Sequence, residues 1–493
     1  MSSINFIETS GVRTLKNDSR LVRPGDIYVT SSSDQKLVNE YILNAAQNGA
    51  IAIVLSDKLK VDKLPNIRYY TVADPLLCMR ELAALFYPKQ PEFTVAVTGT
   101  NGKTSVASFY MQICALLNMK SASIGTLGVE VSDKTVDFTA NSEILAASQT
   151  LTTPDHISLR YFLDKLAQNN VTHLAIEASS HGLDQNRIDE INFKAAGFTN
   201  FSQDHLDYHD SLDSYFAAKL RLFHEVIDVN ASAVLNADID VFNKLYSCCS
   251  LRKINVLQYG KNANDIRFVG HDNGHVLLDV FGKRYKIMLQ IQHEFQIYNI
   301  MCAVGLAISA GFYIDDILAS TEKIKAAPGR LEVISNANGK TIYVDYAHTP
   351  DGLHTVLLAL RKGCLNKLHV LFGCGGNRDK SKRIIMGRIA GSIADSVIVT
   401  DDNPRNEDAA KIRADIIAGI SDKRKVIEIS NRKDAITEAI KMMQDEDVLL
   451  IAGKGHEEYQ IIGDQKYKFS DAETAKDILR NLEYILNSLS AKN

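Results

Sequence analysis

The chain has 493 residues, of which 45% are hydrophobic and 23% charged, a balance typical of a globular protein with about three domains. Its 55 basic and 59 acidic residues leave a net charge of −4, which argues against a nucleic-acid partner. No apolar run approaches the roughly 18 residues of a membrane span. The seven cysteines form no CxxC pair, so we expect neither structural zinc nor disulfides, and a reduced, cytoplasmic protein.

The first predicted unit, residues 1–88, is a small α/β domain. The apolar patterns predict strands at 23–29 and 50–55 and helices at 41–48 and 74–87, followed by a linker at 88–91. Ser19 lies in a turn before the first strand, where an isolated serine usually caps the turn.

The second predicted unit, residues 89–330, alternates strands with helices. Strands are predicted at 94–98, 173–178, 195–200 and 231–235, and helices at 103–117, 155–168, 211–227 and 295–310. Such alternation predicts a mainly parallel sheet with helices on both faces. The stretch 266–291 instead alternates around Asn-Gly and Phe-Gly turns, which predicts an antiparallel hairpin set at one edge.

A phosphate-binding loop is predicted between the first strand and helix of this unit. Its residues are Gly99, Thr100, Asn101, Gly102, Lys103, Thr104 and Ser105. Backbone N–H groups and the helix N-terminus would face the anion, Lys103 would add a positive charge, and Thr104 would offer a hydroxyl to magnesium. The usual first glycine of this motif is replaced by Val97. We therefore predict a P-loop-type ATPase domain.

The third predicted unit, residues 331–493, opens with a hairpin at 336–339. Strands are then predicted at 367–373, 396–400, 425–429 and 447–452, with helices between them. This is the pattern of a Rossmann-like α/β domain, although no GxGxxG motif follows its first strand. The predicted fold is thus α/β with three domains.

Several charged residues of the second unit are candidates for chemistry. Glu177 ends a predicted strand, where a carboxylate can either hold magnesium or cap a helix. The stretch 200–209 carries two histidines and two aspartates, which suit either a metal site or a solvated loop. Lys219 by itself reads as a surface lysine. Arg330 could neutralise a γ-phosphate and Asp345 could accept from ribose hydroxyls, unless both are ordinary loop charges.

Three polar turns of the third unit follow predicted strands and should converge at one edge of its sheet. They contain Arg378, the run Asp402-Asn403-Pro404-Arg405, and Gly453 with Glu457. Arginine can fork a carboxylate while acidic groups take an ammonium, so the set predicts a site for a zwitterionic amino acid. Turn chemistry alone explains the glycines and the proline but not the arginines.

Together these motifs resemble the Mur ligases, ATP-dependent amide-forming enzymes of peptidoglycan precursor synthesis. The stretches 98–104 and 345–348 carry the family-wide part of the resemblance. The stretches 177–187 and 200–209 resemble the branch that adds the third amino acid of the peptide. The run 402–405 is similar to the motif of its meso-diaminopimelate-adding members, whose lysine-adding relatives usually lack the arginine.

The resemblance implies a reaction and its participants. ATP with Mg²⁺ would phosphorylate the glutamyl carboxylate of UDP-N-acetylmuramoyl-L-alanyl-D-glutamate, and the amine of meso-2,6-diaminopimelate would then displace phosphate. It implies a cytoplasmic monomer without nucleic-acid or membrane partners. Lysine-adding and folylpolyglutamate-type ligases, and a P-loop nucleotide switch without ligase chemistry, are the alternatives.

The resemblance also implies a role for individual residues. Lys103, Lys219, His205 and Arg330 would be catalytic; Lys219 would be carbamylated to N6-carboxylysine; and Thr104, Glu177, His205 and Lys219 would surround magnesium. Asn299 and Asp345 would contact the nucleoside of ATP. The UDP substrate would contact Ser19, Thr152, Thr153, Ser179, Gln185 and Arg187. Diaminopimelate would contact Arg378, Asp402, Asn403, Pro404, Arg405, Gly453 and Glu457.

The sequence departs from the family pattern at a few positions. The triplet 34–36 differs from the usual uracil-side motif, and Leu151 stands where an asparagine is common. The stretch 293–299 keeps Asn299 but changes its neighbours, and Asp471 lacks the arginine that often follows it. None of these positions belongs to the phosphate loop, to Lys219 or to the amino-acid site.

Overall fold

The computed structural model describes residues 7–136, 151–206, 208–337 and 339–490. Within these ranges the strands form sheets of four, ten and six strands and a separate two-stranded hairpin. The predicted α/β class is confirmed. No helix in the described part of the chain has the length and apolar character needed to cross a membrane.

The N-terminal sheet is four-stranded and parallel. Its strands, in spatial order, are β1 (Leu15–Lys16), β2 (Ile27–Val29), β3 (Ala52–Ser56) and β4 (Arg68–Val72). The helices Gln35–Gln47 and Pro75–Phe86 accompany it. The prediction that the first helix begins at residue 41 is wrong, because the Asp34 side chain accepts from the N–H groups of Lys36 and Leu37 and starts the helix there.

The central sheet holds ten strands. They are β5 (Phe93–Thr98), β6 (Ser121–Gly125), β7 (Gly128–Val131), β8 (His173–Glu177), β9 (Phe193–Phe198), β10 (Ser232–Asn236), β11 (Asn255–Gly260), β12 (Ile266–Asp272), β13 (His275–Val280) and β14 (Lys283–Ile287). The order is β14-β13-β12-β11-β10-β9-β5-β8-β6-β7, which places β5 between β9 and β8. The sheet is parallel except for β12–β13–β14 and β6–β7. The hairpin set predicted at 266–291 is confirmed, whereas the hairpin β6–β7 at the opposite edge was not predicted.

Helices cover both faces of the central sheet. Their bounds are Lys103–Leu116, His156–Gln168, Ser180–Asp184, Leu212–Arg221, Phe242–Leu251, Glu294–Ser309 and Ile314–Thr321, with a π-helical turn at Leu222–Val226. Val95 and Val97 of β5 pack into one apolar cluster and Ala96 into the other. Because successive side chains of a strand point to opposite faces, β5 is buried on both sides and fixes the phosphate loop that follows it.

The C-terminal sheet is six-stranded. Its strands are β15 (Glu332–Ala337), β16 (Lys340–Asp345), β17 (Leu368–Phe372), β18 (Ser396–Val399), β19 (Val426–Glu428) and β20 (Val448–Ala452). The order β15-β16-β20-β17-β18-β19 is parallel except for the first pair. The helices are Pro350–Gly363, Ser381–Ile393, Ala409–Ala418, Arg432–Met442 and Asp471–Ser490, and β21 (Tyr459–Ile462) and β22 (Gln465–Lys468) form the separate hairpin. The domain boundaries after residues 88 and 330 stay predictions.

Candidate active site

The phosphate loop connects β5 to the helix Lys103–Leu116 and depends on two glycines. Gly99 has a φ of +139° and Gly102 a φ of +86°, both in the region that favours glycine. A Cβ at Gly99 would lie 2.0 Å from Thr199 Oγ1, and one at Gly102 would lie 2.4 Å from Asn299 Oδ1. No side chain caps the helix that starts at Lys103, so its first N–H groups are available to an anion.

Lys103 folds back over this loop. Its Nζ donates to the carbonyl oxygens of Gly99 at 2.9 Å and Thr100 at 2.8 Å. Desolvation lowers the pKa of Lys103, while the charges of Glu177 and Asp204 oppose the shift. The Asn101 N–H donates to Asn200 Oδ1 at 2.8 Å, which ties the loop to the end of β9.

Glu177 brings the ends of β8 and of the phosphate loop together. It is 2% exposed, and its carboxylate accepts from the Thr104 hydroxyl at 3.0 Å, the Thr126 N–H at 2.8 Å and the Thr126 hydroxyl at 3.1 Å. Gly125 leaves room for it, because a Cβ there would lie 2.0 Å from Glu177 Oε1. Thr126 has no place in the sequence prediction; only its location in a tight turn between two strands marks it.

Arg330 reaches into this cluster from the start of the C-terminal sheet. Its Nη2 donates to Thr104 Oγ1 at 2.9 Å, and its guanidinium lies 4.4 Å from the ring centre of Tyr346. Arginine side chains stack well on aromatic faces, so the ring holds the guanidinium in place. The structure therefore brings Arg330 to the phosphate loop. The alternative that Arg330 is an ordinary loop charge is wrong.

Lys219 is buried rather than a surface residue, which corrects the reading from its isolated sequence context. It is 1% exposed, its Nζ donates to the Gly99 carbonyl at 2.8 Å, and it lies 4.5 Å from the ring centre of Tyr215. Burial lowers the pKa of Lys219 well below its ordinary value, and the nearby charge of Lys103 lowers it further. A lowered pKa increases the fraction of the lysine that carries a neutral, nucleophilic amine at a given pH.

His205 lies in the polar loop after β9 and adopts a φ of +54°. Burial lowers its pKa to about 4, against the opposing charge of Asp204, whose Oδ2 lies 3.5 Å from its Nε2. Its ring centre lies 5.0 Å from that of His181. Asp207 of this loop lies outside the described residues, and no three His, Cys, Asp or Glu side chains among the described residues form a metal-binding group. The metal role of this loop stays a prediction.

Asn299 borders the phosphate loop at Gly102, and Asp345 ends β16 close to Arg330. Asp345 accepts from the N–H groups of Leu331 at 2.6 Å and Ala347 at 2.7 Å. Burial raises the pKa of Asp345 to about 6, although Arg330 opposes the shift. The Asn299 amide donates to Gln296 Oε1 at 3.0 Å, and its Oδ1 faces Gly102. Asn299 thus lies beside the loop and Asp345 beside the segment that carries Arg330, while their contact with ATP stays a prediction.

Most residues predicted to bind the UDP substrate form one hydrogen-bonded group. Thr153 Oγ1 donates to the Glu177 carbonyl at 2.7 Å and lies 2.9 Å from Ser179 Oγ, and Arg187 donates to the Thr153 carbonyl at 2.7 Å. Two further contacts extend the group, between Thr152 and Thr126 and between Gln185 and Arg187.

Ser19 lies in the N-terminal part of the chain. It is 4% exposed in the 3₁₀ turn Ser19–Leu21, which is capped by Asp18 rather than by Ser19 itself. The predicted turn-capping role of Ser19 is therefore wrong. Asn17, two residues earlier, contacts Asp155 at 3.4 Å. That contact connects the turn to the segment after Thr153.

The predicted amino-acid residues lie together beyond β17, β18 and β20. The Asn403 amide donates to Glu457 Oε2 at 2.9 Å, and a Cβ at Gly453 would lie 3.0 Å from Asp402 Oδ2. Arg405 has a φ of +51° and donates to the Gly376 carbonyl at 2.9 Å. Pro404 is buried, whereas Arg378 is exposed.

Sequence reasoning missed the lysine at the centre of this group. Lys454 is 0% exposed, and its Nζ donates to Asp402 Oδ1 at 3.3 Å, Asn403 Oδ1 at 3.1 Å and Glu457 Oε2 at 3.0 Å. Burial by itself would raise the pKa of Asp402, but the charges of Lys454 and Arg432 outweigh it and hold that pKa below its ordinary value. The sequence feature that could have indicated this lysine is its position between two glycines, just after a buried strand.

The central and C-terminal parts touch at the mouth of the phosphate loop. Asp351 Oδ2 accepts from the Asn101 amide at 3.1 Å and from the Ser202 hydroxyl at 2.9 Å. A Cβ at Gly329 would lie 2.1 Å from the His456 backbone nitrogen, so the two segments approach closely. The site therefore combines an anion cradle, a buried carboxylate and a cluster of polar side chains across one junction.

Comparison with known proteins identifies the family. The model of the Mur ligase middle domain matches residues 97–307, and that of the Mur ligase glutamate ligase domain matches residues 329–455. A Bradyrhizobium diazoefficiens protein named UDP-N-acetylmuramoyl-L-alanyl-D-glutamate--2,6-diaminopimelate ligase is 44% identical, over 96% of this chain and 95% of the relative. A Rickettsia bellii protein of the same name is 42% identical, over 95% of this chain and 96% of the relative.

Solved structures agree with this result. A structure of a UDP-N-acetylmuramoyl-L-alanyl-D-glutamate--2,6-diaminopimelate ligase superposes with a TM-score of 0.65 at 29% identity, covering 96% of this chain and 95% of the other. The MurF ligase of Thermotoga maritima in complex with ADP has a TM-score of 0.62 at 18% identity, covering 95% and 97%, and it shares the fold. The chain belongs to the Mur ligase family.

Proposed function

We propose that this chain joins meso-2,6-diaminopimelate to UDP-N-acetylmuramoyl-L-alanyl-D-glutamate at the expense of ATP, in the synthesis of peptidoglycan precursors. The observation that carries the proposal is the junction at which Arg330 donates to Thr104 at 2.9 Å. It joins an anion cradle to the sheet whose edge holds Asp402, Asn403 and Glu457. The names of the relatives supply the two substrates.

The chemistry that this site must perform is activation of a carboxylate. A carboxylate is a poor electrophile at neutral pH, so transfer of the γ-phosphoryl group to one of its oxygens creates a phosphate leaving group. The amine of diaminopimelate attacks the acyl phosphate, and the tetrahedral intermediate expels phosphate. Lys103 and Arg330 lie where they neutralise charge on the transferring phosphoryl group, and the N–H groups at the helix start hold the other phosphates.

Magnesium fits the residues beside the loop. Mg²⁺ prefers oxygen ligands, and the Thr104 hydroxyl and the Glu177 carboxylate lie 3.0 Å apart in a buried position. We assign these two residues and His205 to hold the ion. Held by these residues, the ion would supply positive charge against the negative charge that develops on the phosphates. Glu177 is oriented for this role by the Thr126 N–H and hydroxyl.

Lys219 suits carbamylation because it is buried beside the loop with a lowered pKa. Its neutral amine adds to the carbon of CO₂ and loses a proton, giving N6-carboxylysine with one negative charge. That carboxylate would lie near Gly99, whose carbonyl now accepts from Nζ at 2.8 Å, and would supply oxygen ligands for a second magnesium.

The two organic substrates are assigned to opposite sides of the junction. The dipeptide part of the UDP substrate is assigned to Thr152, Thr153, Ser179, Gln185 and Arg187, and its uridine side to Ser19. Diaminopimelate is assigned to Arg378, Asp402, Asn403, Pro404, Arg405, Gly453 and Glu457. Asn299 and Asp345 are assigned to the nucleoside of ATP. The residues up to 88, from 89 to 330 and beyond 330 then form three functional domains of a monomer.

We place the reaction in the cytoplasm, where ATP is supplied. The seven cysteines are free, as expected of a protein kept in a reducing compartment.

Phosphate release by the purified protein tests the proposal. We expect release to require ATP, the UDP-muramoyl dipeptide and diaminopimelate together, and to be much slower with lysine in place of diaminopimelate. Equal rates with lysine would indicate a lysine-adding ligase, and activity with a folate and glutamate would indicate a folylpolyglutamate-type ligase. Release with ATP alone would contradict amide-bond formation altogether.

A further inference from the structure

Lys454 is a fully buried cation for which the proposed function has no use. It lies two residues after the end of β20, and its Nζ donates to Asp402, Asn403 and Glu457 at 3.0 to 3.3 Å. An ammonium has three donors, and here all three have an acceptor. Each acceptor belongs to a residue assigned to the amino-acid substrate, so Lys454 acts on that substrate's site through its neighbours.

The contacts of Asn403 show how Lys454 fixes the geometry. Asn403 Oδ1 accepts from Lys454 Nζ and, at 2.9 Å, from the N–H of Ile461 on the hairpin, so its Nδ2 must point to Glu457. Lys454 thus determines the orientation of the Asn403 amide and the position of the Glu457 carboxylate. Removal of the ammonium would leave two carboxylates and a carbonyl oxygen without their common donor.

Lys454 also sets the charge of the site. Asp402 and Glu457 carry two negative charges, of which Lys454 neutralises one within a buried group. Diaminopimelate has two carboxylates and two ammonium groups and is neutral overall, whereas lysine lacks one carboxylate and carries a net positive charge. A buried positive charge beside the site therefore disfavours lysine relative to diaminopimelate.

We infer that Lys454 is a positioning residue that makes the site selective for an amino acid of zero net charge over a cationic one. This inference rests on the proposed function. Lys454 needs no contact with the substrate. It acts on the substrate through its positive charge and through its hydrogen bonds to Asn403 and Glu457, the residues assigned to contact diaminopimelate.

The test compares Lys454→Met with the wild-type enzyme and with Lys441→Met, a change of an exposed lysine in the same domain. The measured quantity is the ratio of kcat/KM for diaminopimelate to kcat/KM for lysine. We expect Lys454→Met to lower this ratio by about tenfold and to raise KM for diaminopimelate far more than KM for ATP. Lys441→Met should leave both quantities unchanged.

The double variant Lys454→Met/Asp402→Asn separates the effect of the Lys454 charge on selectivity from the effect of its hydrogen bonds on the position of its neighbours. It removes one positive and one negative charge together, so the net charge of the site equals that of the wild type and Asp402 no longer carries a charge without its partner. We expect its ratio to return toward the wild-type value, although its overall rate stays low. It also provides the measurement if the single variant does not fold.

Two results for the selectivity ratio would overturn the inference. One is an unchanged ratio in the folded single variant, and the other is a double variant with a ratio as low as that of the single variant or lower. A wild-type protein without diaminopimelate-dependent phosphate release would instead overturn the proposed function, and the inference with it. A loss of kcat together with equal rises of KM for diaminopimelate and KM for ATP would show that Lys454 has only a structural role.

Discussion

The position of Glu177 can be tested without changing Glu177 itself. A Cβ at Gly125 would lie 2.0 Å from Glu177 Oε1, 2.3 Å from its Cδ and 2.4 Å from its Cγ. Ordinary van der Waals contact begins at 3.4 Å, so Gly125→Ala must displace the carboxylate by about 1.4 Å. That movement breaks its hydrogen bonds with Thr104 and Thr126 and draws it away from the proposed magnesium position.

The expected loss follows from this displacement. A misplacement of about 1 Å near the reacting groups costs roughly 100-fold in rate, which corresponds to about 2.7 kcal/mol of transition-state stabilisation. We expect Gly125→Ala to lose at least this much activity in the phosphate-release assay, with weaker binding of MgATP by calorimetry. The substitution causes no backbone strain, because the φ of Gly125 lies outside the left-handed region that alanine avoids.

Gly128→Ala is the matched control, because it adds the same methyl group to the paired strand β7. Gly128 has a φ of +83° but nothing within 4 Å of its Cβ position, so this variant should lose about 1 kcal/mol of stability and little activity. The double variant Gly125→Ala/Glu177→Asp shortens the acid and should recover part of the lost activity. Equal activities of Gly125→Ala and Gly128→Ala, with both proteins folded, would refute the role assigned to Glu177.

The other predictions concern the amino-acid site, the carbamate and a buried acid. Arg405→Ala should raise KM for diaminopimelate by about 10- to 100-fold because one ionic contact is lost, and an equal rise of KM for ATP would contradict this assignment. Lys219→Ala should lose about 100-fold or more in kcat and regain activity with added formate or acetate; a folded variant that is not rescued would argue against a carbamate. Asp345 has a folded pKa of about 6 against an ordinary value of 3.8, so the free energy of unfolding should fall by roughly 3 kcal/mol as the pH rises from about 4 to above 6. Asp345→Asn should remove that fall in a pH series of denaturant titrations, and an unchanged pH dependence would show that Asp345 is not the cause.

Local sequence patterns were sufficient to predict several of the main strands and the edge hairpin of the central sheet. The β-branched run at 94–98 is buried on both faces of the central sheet, and it became β5 (Phe93–Thr98) within one residue. The alternation around residue 273 became the antiparallel hairpin β12–β13. These elements were predictable because their periodicity and turn residues lie within one short stretch.

Other elements depend on partners far away in the chain. The strand Ser121–Gly125 was not predicted, because its small residues have no marked pattern and it forms by pairing with β8 and β7. The helix Phe242–Leu251 was also missed. The helix Gln35–Gln47 starts earlier than predicted because of the cap at Asp34, a position at which the sequence departs from the family motif.

The parts of the site that lie within one short stretch of sequence were predictable, and the parts that join distant stretches were not. The phosphate loop is local, so its glycines and Lys103 could be read directly. The contact between Arg330 and Thr104 joins residues 226 positions apart, and no local pattern reveals it. Lys219 looked like a surface residue until the resemblance indicated a role and the structure placed it at 1% exposure. No local pattern indicates the role of Lys454, because a buried lysine is recognised only by its three acceptors.

Transfer of an oxygen isotope tests carboxylate activation most directly. The glutamyl carboxylate of the UDP-muramoyl dipeptide is labelled with ¹⁸O on both oxygens, and the inorganic phosphate formed with ATP and diaminopimelate is analysed by mass spectrometry. If the carboxylate attacks the γ-phosphorus and the amine then expels phosphate, one ¹⁸O appears in each phosphate and the other stays in the amide. Phosphate without the label, formed at the same rate as the amide, would contradict an acyl-phosphate route through this site.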